Sequence, residues 1–497
     1  MRVLLLNPPF MGKYSRSSRS PAVTKGGTIY YPLWLAYATG VLEKEGFEAK
    51  LLDAPAEGKS IEDVLSIVRE FKPELVAMDT STGSIYSDAE IAGKIKEERG
   101  NAFVVFVGPH PSAVPEETLK ISGAIDAIAR KEYDYTILEL AQEIERVQKG
   151  RGKVEKPGLD LGKINGLSWR AQGDADRIMH NKDRAFIDEL DELPFVSEVY
   201  KRHLNIKNYF YSANLYPEIT IITGRGCPYR CKFCVWPQVL NGRAYRARSV
   251  DNVIAEFEYI KKNFPEAKEV FIEDDTFTAD RARVKEFCEK MIAKKIRIKW
   301  SCNARADVDY ETLRIMKKSG GRLLCVGIES GVQEILNNIS KGTQIEKIRQ
   351  FFKDTKRAGI LVHGCFMLGN QGETKETIAQ TIRFAKELNP DTAQFFPLMV
   401  YPGTETYDWA RENKFLKSND FRDWLNAEGG HNCMVSRPGL SSEELVSECN
   451  RARKEFYLRP NYVASKAVQL VMHPREAKRI FKASRTFFRH LRERGKE

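Results

Sequence analysis

Apolar residues along this chain fall into short blocks separated by amphipathic stretches, the pattern of strands alternating with helices. Val3-Leu-Leu-Leu6 is wholly apolar and is cut off by Asn7-Pro8-Pro9. Tyr31 to Glu45 carries Leu33, Leu35, Ala38, Val41 and Leu42 at helical spacing and closes at Gly46. A strand over Ala49–Asp53, a helix over Ile61–Phe71 capped by Ser60 and a strand over Leu75–Asp79 follow. A helix over Asp88–Glu98, strands at Phe103–Val107 and Ile125–Ala129, and a helix over Thr136–Lys149 complete the series. Apolar strands linked through helices by short loops predict an α/β domain over residues 1–147 built on a doubly wound parallel sheet. Ligands bind such sheets at the carboxyl ends of the strands. Those ends are Asn7-Pro8-Pro9, Asp79-Thr80-Ser81-Thr82-Gly83-Ser84 and Gly108-Pro-His110-Pro-Ser112. None contains the G-x-G-x-x-G of dinucleotide sites.

Residues 148–216 read as a linker. Lys149-Gly-Arg-Gly-Lys153 is a flexible break, and Ile164–Trp169 and Ala185–Ile187 have the character of small strands. The tyrosines between Tyr200 and Tyr216 suit packing, with a place at a substrate mouth as the second reading.

The alternation resumes over residues 217–412, with strands at Ile219–Thr223, Glu269–Glu273, Lys299–Asn303, Arg322–Glu329, Leu361–Leu368 and Thr392–Leu398. The helices between them are expected at Val250–Phe264, Arg283–Lys294, Tyr310–Ser319, Thr343–Ala358 and Thr374–Leu388. Six βα units in succession predict a partial (β/α) barrel, whose chemistry sits on the loops after its strands. Polar groups collect at those ends: Glu273, Asp274 and Asp275; Asn303 and Arg305; Glu329 and Ser330; Gly369 and Glu373. One such acid could merely cap the following helix; a succession of them suggests a site. Residues 413–497 read as a helical, basic segment. A loop near the barrel mouth is expected at Trp424–Cys433, and helices at Ser442–Arg459, Tyr462–Leu470 and Arg475–Arg494.

Composition narrows the classes. A chain of 497 residues with 42% hydrophobic content is that of a globular protein with two or three cores. No run of 18 apolar residues exists, and the apolar start is too short for a signal peptide, so the expected location is cytoplasmic. The net charge of +11 concentrates in the last segment, whose final helix could rest peripherally on the inner face of a membrane. Nucleic acid is the weaker use of that charge.

The chemistry enters at Cys227-Pro-Tyr-Arg-Cys231-Lys-Phe-Cys234, directly after a strand and the Gly224-Arg225-Gly226 turn. Three thiols at C-x3-C-x2-C are soft ligands for an iron–sulfur cluster, and a four-iron cluster would keep one iron open. Structural zinc would want a fourth protein ligand, and neither C-x2-C nor H-x3-H occurs elsewhere. Nine Cys without a secretory signal do not form a disulfide framework. Cys288, Cys302, Cys325, Cys365, Cys433 and Cys449 are scattered and expected to be buried thiols, with Cys302 and Cys365 able to face the barrel cavity. His363 and His431 are secondary acid/base candidates.

The cysteine loop, with Phe233 before its third Cys, resembles the cluster loop of the radical S-adenosylmethionine (SAM) superfamily. The resemblance implies a [4Fe-4S] cluster on Cys227, Cys231 and Cys234, with SAM chelating the open iron. It implies SAM contacts at Glu273, Asp274 or Asp275 for the amino group, and at Asn303 and at Arg305 for the carboxylate side. Glu329 and Ser330 would lie by the ribose and Gly369 by the adenine. The glycines that often precede the strand-end acid are missing here. The first domain resembles the cobalamin-binding domain that precedes many radical SAM barrels. That implies cobalamin at Pro8, Thr80, Ser81, Thr82, Gly108, His110 and Ser112. The cobalt-ligating D-x-H-x-x-G is absent, so His110 is expected to contact the corrin rather than the metal.

Val235-Trp-Pro-Gln238 and Phe456-Tyr-Leu-Arg-Pro460 resemble class B methylase-like proteins of hopanoid biosynthesis and, more distantly, the anaerobic Mg-protoporphyrin ester cyclase. The implied enzyme cleaves SAM reductively, takes electrons from a donor such as a flavodoxin or ferredoxin, and methylates or rearranges an unactivated carbon. A hydrophobic, lipid or isoprenoid-like small molecule is the expected substrate. The alternatives are a cobalamin-independent cyclase or coupling enzyme and, from another class, an iron–sulfur RNA-binding or redox-sensing protein.

Overall fold

The computed structural model describes residues 1–24, 26–149, 158–171 and 177–472. The expected flexible break after Lys149 and the basic helix expected at Arg475–Arg494 lie outside the described residues. No helix among those described is long and apolar enough to cross a membrane.

The first sheet starts with β1 (Arg2–Asn7), β2 (Glu48–Asp53), β3 (Leu75–Asp79), β4 (Phe103–Val107) and β5 (Ala127–Ala129). Residues read as linker extend it through β6 (Leu167–Arg170) and β7 (Ile178–His180). The strand order is β2-β1-β3-β4-β5-β6-β7, parallel through β5 and antiparallel beyond. Val3–Leu6 and Leu75–Met78 are completely buried, as strands covered by helices on both faces must be. Strand order reverses between β1 and β3, so a crevice opens at their carboxyl ends.

The second sheet orders β8 (Glu218–Ile221), β11 (Glu269–Ile272), β12 (Lys299–Ala304), β13 (Gly321–Glu329), β14 (Leu361–Leu368) and β15 (Thr392–Pro397) side by side, all parallel. It is the expected partial barrel. Between β8 and β11 a small antiparallel hairpin, β9 (Gly224–Arg225) with β10 (Arg246–Ala247), brackets the three cysteines. The outer barrel face is identified by its packing. Phe366 stacks on Phe395 at 5.1 Å, and Phe395 meets Phe456 of the helix Ser442–Tyr457 at 5.9 Å. Leu361, His363, Cys365, Thr392 and Phe396 alternate with these buried positions, lie on the inner face and keep partial exposure, and Gln394 among them is exposed.

Several expectations shift. Ala185–Ile187 forms no strand. Ile187 N–H donates to Glu132 Oε2 at 2.9 Å and its carbonyl accepts from Arg246 Nη1 at 2.6 Å, so side chains satisfy the backbone groups that a strand partner would have used. Gly108 to Ser112 is not a plain loop: Pro109–Ala113 makes a helical turn, with proline setting its first φ. Short helices at Val196–His203, Gln333–Asn338 and Glu405–Glu412 give too few turns for a periodic signal. The tyrosines pack as expected: Tyr31 stacks on Tyr200 at 4.4 Å and on Tyr209 at 3.9 Å.

Residues 10–24 and 26–31, between β1 and the first long helix (Leu33–Lys44), reach both sheets: Arg16 bonds to the end of β1, and Tyr31 Oη donates to the Glu218 carbonyl of β8. Tyr14 and Arg16 in this stretch are fully buried. Arg16 donates to Asp88 Oδ1 at 2.5 Å, to the Pro8 carbonyl at 2.7 Å and to Asn7 Oδ1 at 2.8 Å, binding the stretch to the end of β1 and to the helix Ile85–Glu98 that follows β3.

Candidate functional site

The cysteine loop is held by its own neighbours. Gln238 Nε2 donates to the carbonyls of Cys234 at 2.8 Å and Lys232 at 3.0 Å, and Lys232 N–H donates to Ile339 O at 3.1 Å. Cys227 and Cys231 are buried and Cys234 half-buried. Burial pushes the Cys227 and Cys234 thiols up, in Cys234 against the lowering pull of the Arg19 guanidinium. Among the described residues no three His, Cys, Asp or Glu side chains converge closely enough to hold a single ion. Three thiols spaced along one loop fit instead a multi-iron group, in which each thiolate meets its own iron.

The acids after β11 divide into two roles. Asp274 accepts from Thr223 N–H at 2.6 Å and from Thr223 Oγ1 at 2.7 Å, so it fastens the end of β8. Glu273 and Asp275 face the space beside the cysteines. Asp275 Oδ2 accepts from Gly226 N–H at 3.0 Å and Asn241 Nδ2 at 2.9 Å. Burial raises Glu273 to about 7, against the lowering pull of Arg19. Arg19 comes from the first domain. Its Nη1 donates to Asp275 Oδ1 at 3.0 Å, its Nη2 to the carbonyls of Asp274 at 2.9 Å and Glu273 at 3.2 Å, and its guanidinium lies 4.0 Å from the Trp236 ring centroid. Asn303 Nδ2 donates to the Asp274 carbonyl at 3.1 Å.

A cationic side lies opposite. Arg305 stacks over Tyr229 of the cysteine loop at 3.6 Å and donates to the Lys341 carbonyl at 2.6 Å. Lys341 Nζ donates to Glu329 Oε1 at 2.8 Å, both side chains buried. Gly327 leaves the room this pair occupies: a Cβ would stand 2.2 Å from Glu329 Oε1 and 2.8 Å from Lys341 Nζ. Ser330 turns away to Thr381 Oγ1 at 3.1 Å. Gly369, at φ +102°, gives its N–H to Glu373 Oε2 at 2.5 Å.

At the other wall of this space, Ser81, Thr82 and His110 of the first domain and Val235, Tyr401 and Pro402 of the second line a cavity of about 10 Å³, with Ser18, Arg19, Pro21 and Pro109. Thr82 Oγ1 lies 3.2 Å from His110 Nδ1, while His110 Nε2 is buried with no partner, the kind of orphan a ligand would satisfy. Burial lowers His110 to about 3, so the ring is neutral. Gly108, at φ +114°, lets the backbone close on Thr80 O, which a Cβ would meet at 2.6 Å. Pro8, Thr80 and Ser112 are already engaged, by Arg16, Asp88 and the Gly108 carbonyl respectively. The glycine cradle and the orphan nitrogen are the features that suit a ligand at the ends of β3 and β4; Ser81 and Thr82 are themselves engaged, by Tyr14 and His110.

His431 Nε2 lies 2.9 Å from Ser20 Oγ, and His363 Nδ1 lies 2.7 Å from Thr392 Oγ1 on the inner barrel face. Sequence reasoning overlooked Arg19, Lys341 and Gln238. None lies at a strand end or in a periodic stretch.

Comparison with known proteins agrees with this arrangement. The radical SAM superfamily model matches residues 221–385 and the B12 binding domain model residues 19–141. An uncharacterized methyltransferase of Pyrococcus horikoshii is 30% identical over 461 residues, covering 93% of both chains. The anaerobic magnesium-protoporphyrin IX monomethyl ester cyclase of Cereibacter sphaeroides is 29% identical over 77% of this chain and 60% of its own. Among solved structures, the radical SAM methyltransferase TsrM of Kitasatospora setae, with cobalamin and a [4Fe-4S] cluster bound, superposes with a TM-score of 0.69 at 19% identity, over 91% of this chain and 90% of that one. That last likeness is one of fold. This chain belongs to the radical SAM superfamily, among the members whose radical SAM domain follows a B12 binding domain.

Proposed function

We propose that this protein is a cobalamin-dependent radical SAM methyltransferase acting on an unactivated carbon of a small molecule. Its cofactors are a [4Fe-4S] cluster, SAM and cobalamin. The observation that carries the reading is that Arg19, from the first domain, sits on the acids that end β11, so the ligand-facing strand ends of both domains rim one space. When bound, the cluster and SAM supply a 5′-deoxyadenosyl radical and cobalamin a transferable methyl group.

The chain's own part is binding, orientation and exclusion of water. Cys227, Cys231 and Cys234 hold the cluster. Because Asp274 is committed to Thr223, Glu273 and Asp275 are the acids left for the SAM ammonium. Arg305, backed by Lys341, suits the SAM carboxylate through its planar fork. Glu329, paired with Lys341, borders the ribose; Ser330 shapes that strand end through Thr381, Asn303 supports the acid turn, and Gly369, its N–H held by Glu373, shapes the adenine side. Ser81, Thr82 and His110 contact the corrin; Pro8, Thr80, Gly108 and Ser112 shape the floor behind them. The inner face of β14 and β15 mixes Leu361 and Phe396 with Thr392 and Gln394, which favours a substrate with an apolar body and a polar edge. A one-electron protein donor, a flavodoxin or ferredoxin, completes the system.

Anaerobic reconstitution followed by reduction with SAM present tests the reading by mass spectrometry of 5′-deoxyadenosine and S-adenosylhomocysteine, alongside the corrin absorption band. Both products with a corrin band support it. The relative named as an ester cyclase favours one second reading, a radical cyclase, which would yield 5′-deoxyadenosine without S-adenosylhomocysteine. Protein that cleaves no SAM sinks both.

A further inference from the structure

The Gly224-Arg225-Gly226 turn ahead of the cysteines reads in sequence as a loosening of the backbone. The structure gives it another role. A Cβ at Gly224 would stand 2.7 Å from the Tyr245 ring, and one at Gly226, φ +87°, would stand 2.0 Å from the Ala244 carbonyl oxygen. Both glycines are needed for the two strands of the hairpin to close at the base of the cysteine loop. Arg225 is the one side chain this turn extends outward, and it leaves the barrel altogether.

Arg225 is 1% exposed and enters the first domain. Its Nη1 donates to Asp134 Oδ2 at 2.8 Å and its Nη2 to Asp134 Oδ1 at 3.3 Å. Its guanidinium also lies 5.1 Å from the ring centroids of both Trp34 and Tyr37, on the first long helix of that domain. The facing strand of the hairpin repeats the device. Arg246 donates to Glu132 Oε1 at 2.6 Å and Oε2 at 2.9 Å. Both stems of the cysteine loop are therefore gripped by two acids that lie two residues apart in the first domain, at the start of the helix Asp134–Lys149. Asp134 and Glu132 are 2% and 5% exposed. Buried two-point bidentate pairs fix position and angle, which a single exposed pair does not.

We infer that Arg225 and Arg246, held by Asp134 and Glu132, form a clamp through which the first domain positions the cluster loop, Arg225 being the main positioning residue. The inference rests on the proposed function, since it assigns the clamp a role toward the cluster on Cys227, Cys231 and Cys234. Gly226, next to Arg225 in sequence, also donates to Asp275, so the clamp and the acid turn beside the proposed SAM site share one backbone unit. Disturbing the clamp should move the cluster relative to SAM while leaving the cobalamin surface around Ser81, Thr82 and His110 in place.

The test uses the full-length protein with cluster and cobalamin loaded. Asp134→Asn and Arg225→Lys weaken the bidentate contact. Arg225→Met combined with Asp134→Leu removes both charges together, so no unpaired charge stays buried and folding is spared. Measured quantities are iron and sulfide per chain, cobalamin per chain, the thermal midpoint, and the EPR spectrum of the reduced cluster with and without SAM. The expected result is cobalamin within twofold of the parent and a SAM-induced EPR change that is lost, or iron that falls at least threefold, in variants that fold. Parental iron and a parental SAM-induced EPR change in the folded Arg225→Met/Asp134→Leu protein would overturn the clamp. Equal loss of iron and cobalamin would overturn it too, in favour of a general interface role. If the parent itself bound no cluster or produced no SAM-dependent EPR change, the proposed function would fail and not the clamp alone.

Discussion

Arg19 and Asp275 are joined by a hydrogen-bonded ion pair of 3.0 Å that crosses from the B12-binding domain to the end of β11 in the barrel. With Glu273 at 3.3 Å, the guanidinium fills a cationic position of the kind an ammonium group would take. Two cations do not share two carboxylates cheaply at close range. Arg19→Gln is therefore expected to tighten SAM binding severalfold in equilibrium dialysis. Weaker binding in that variant would mean that Arg19 contacts SAM directly.

Arg16 and Asp88 are both completely buried. Removing one partner strands the other charge. Arg16→Met should cost about 3–5 kcal/mol of stability, visible as a lower denaturant midpoint, with cobalamin occupancy falling alongside it. Parental stability would show that the pair does not anchor the stretch around Arg16.

Gly327→Ala places a methyl group 2.2 Å from Glu329 Oε1 and forces the Glu329–Lys341 pair apart. Affinity for SAM should fall by about tenfold or more, equivalent to roughly 1.4 kcal/mol, while iron content stays parental. Iron loss instead would show that the substitution reaches the cysteine loop.

Replacing Cys227, Cys231 or Cys234 singly by Ala should leave reconstituted protein without a stable four-iron cluster and reduce 5′-deoxyadenosine formation to background. Cys449→Ala, in the core of the helix Ser442–Tyr457, should keep full iron content at a modest cost in stability. An equal iron deficit in all four variants would contradict the assignment.

His110 offers a pH signature. Burial lowers its pKa from 6.5 to about 3, so between those values the unfolded chain takes up a proton that the folded one refuses. Stability contributed by this group is complete above pH 6.5 and is lost as pH falls toward 3. At pH ~4 the loss is on the order of 3 kcal/mol. His110→Gln should flatten the stability profile between pH ~6.5 and ~4 relative to the parent. Parallel profiles would show that the ring is solvated.

Strand and helix alternation, the partial barrel and the three cysteines were legible in the chain because each rests on local information: apolar blocks, helical spacing and close sequence intervals. Short elements such as Gln333–Asn338 were not, since six residues complete fewer than two helical turns. Ala185–Ile187 had strand composition, but the backbone groups of Ile187 are taken by Glu132 and Arg246, remote in sequence.

The cysteine loop by itself, through spacing and ligand softness, pointed to a cluster with an open iron. Tertiary structure set Asp274 apart from its two neighbours, because Thr223, just past the end of β8, claims it while Glu273 and Asp275 meet Arg19. Tertiary structure likewise brought Arg19 to Asp275 across 256 residues and Arg225 to Asp134 across 91. No periodicity encodes such pairs. They follow from how two sheets, each fixed by its own hydrophobic pattern, bury their facing edges and must then neutralise the charges caught between them.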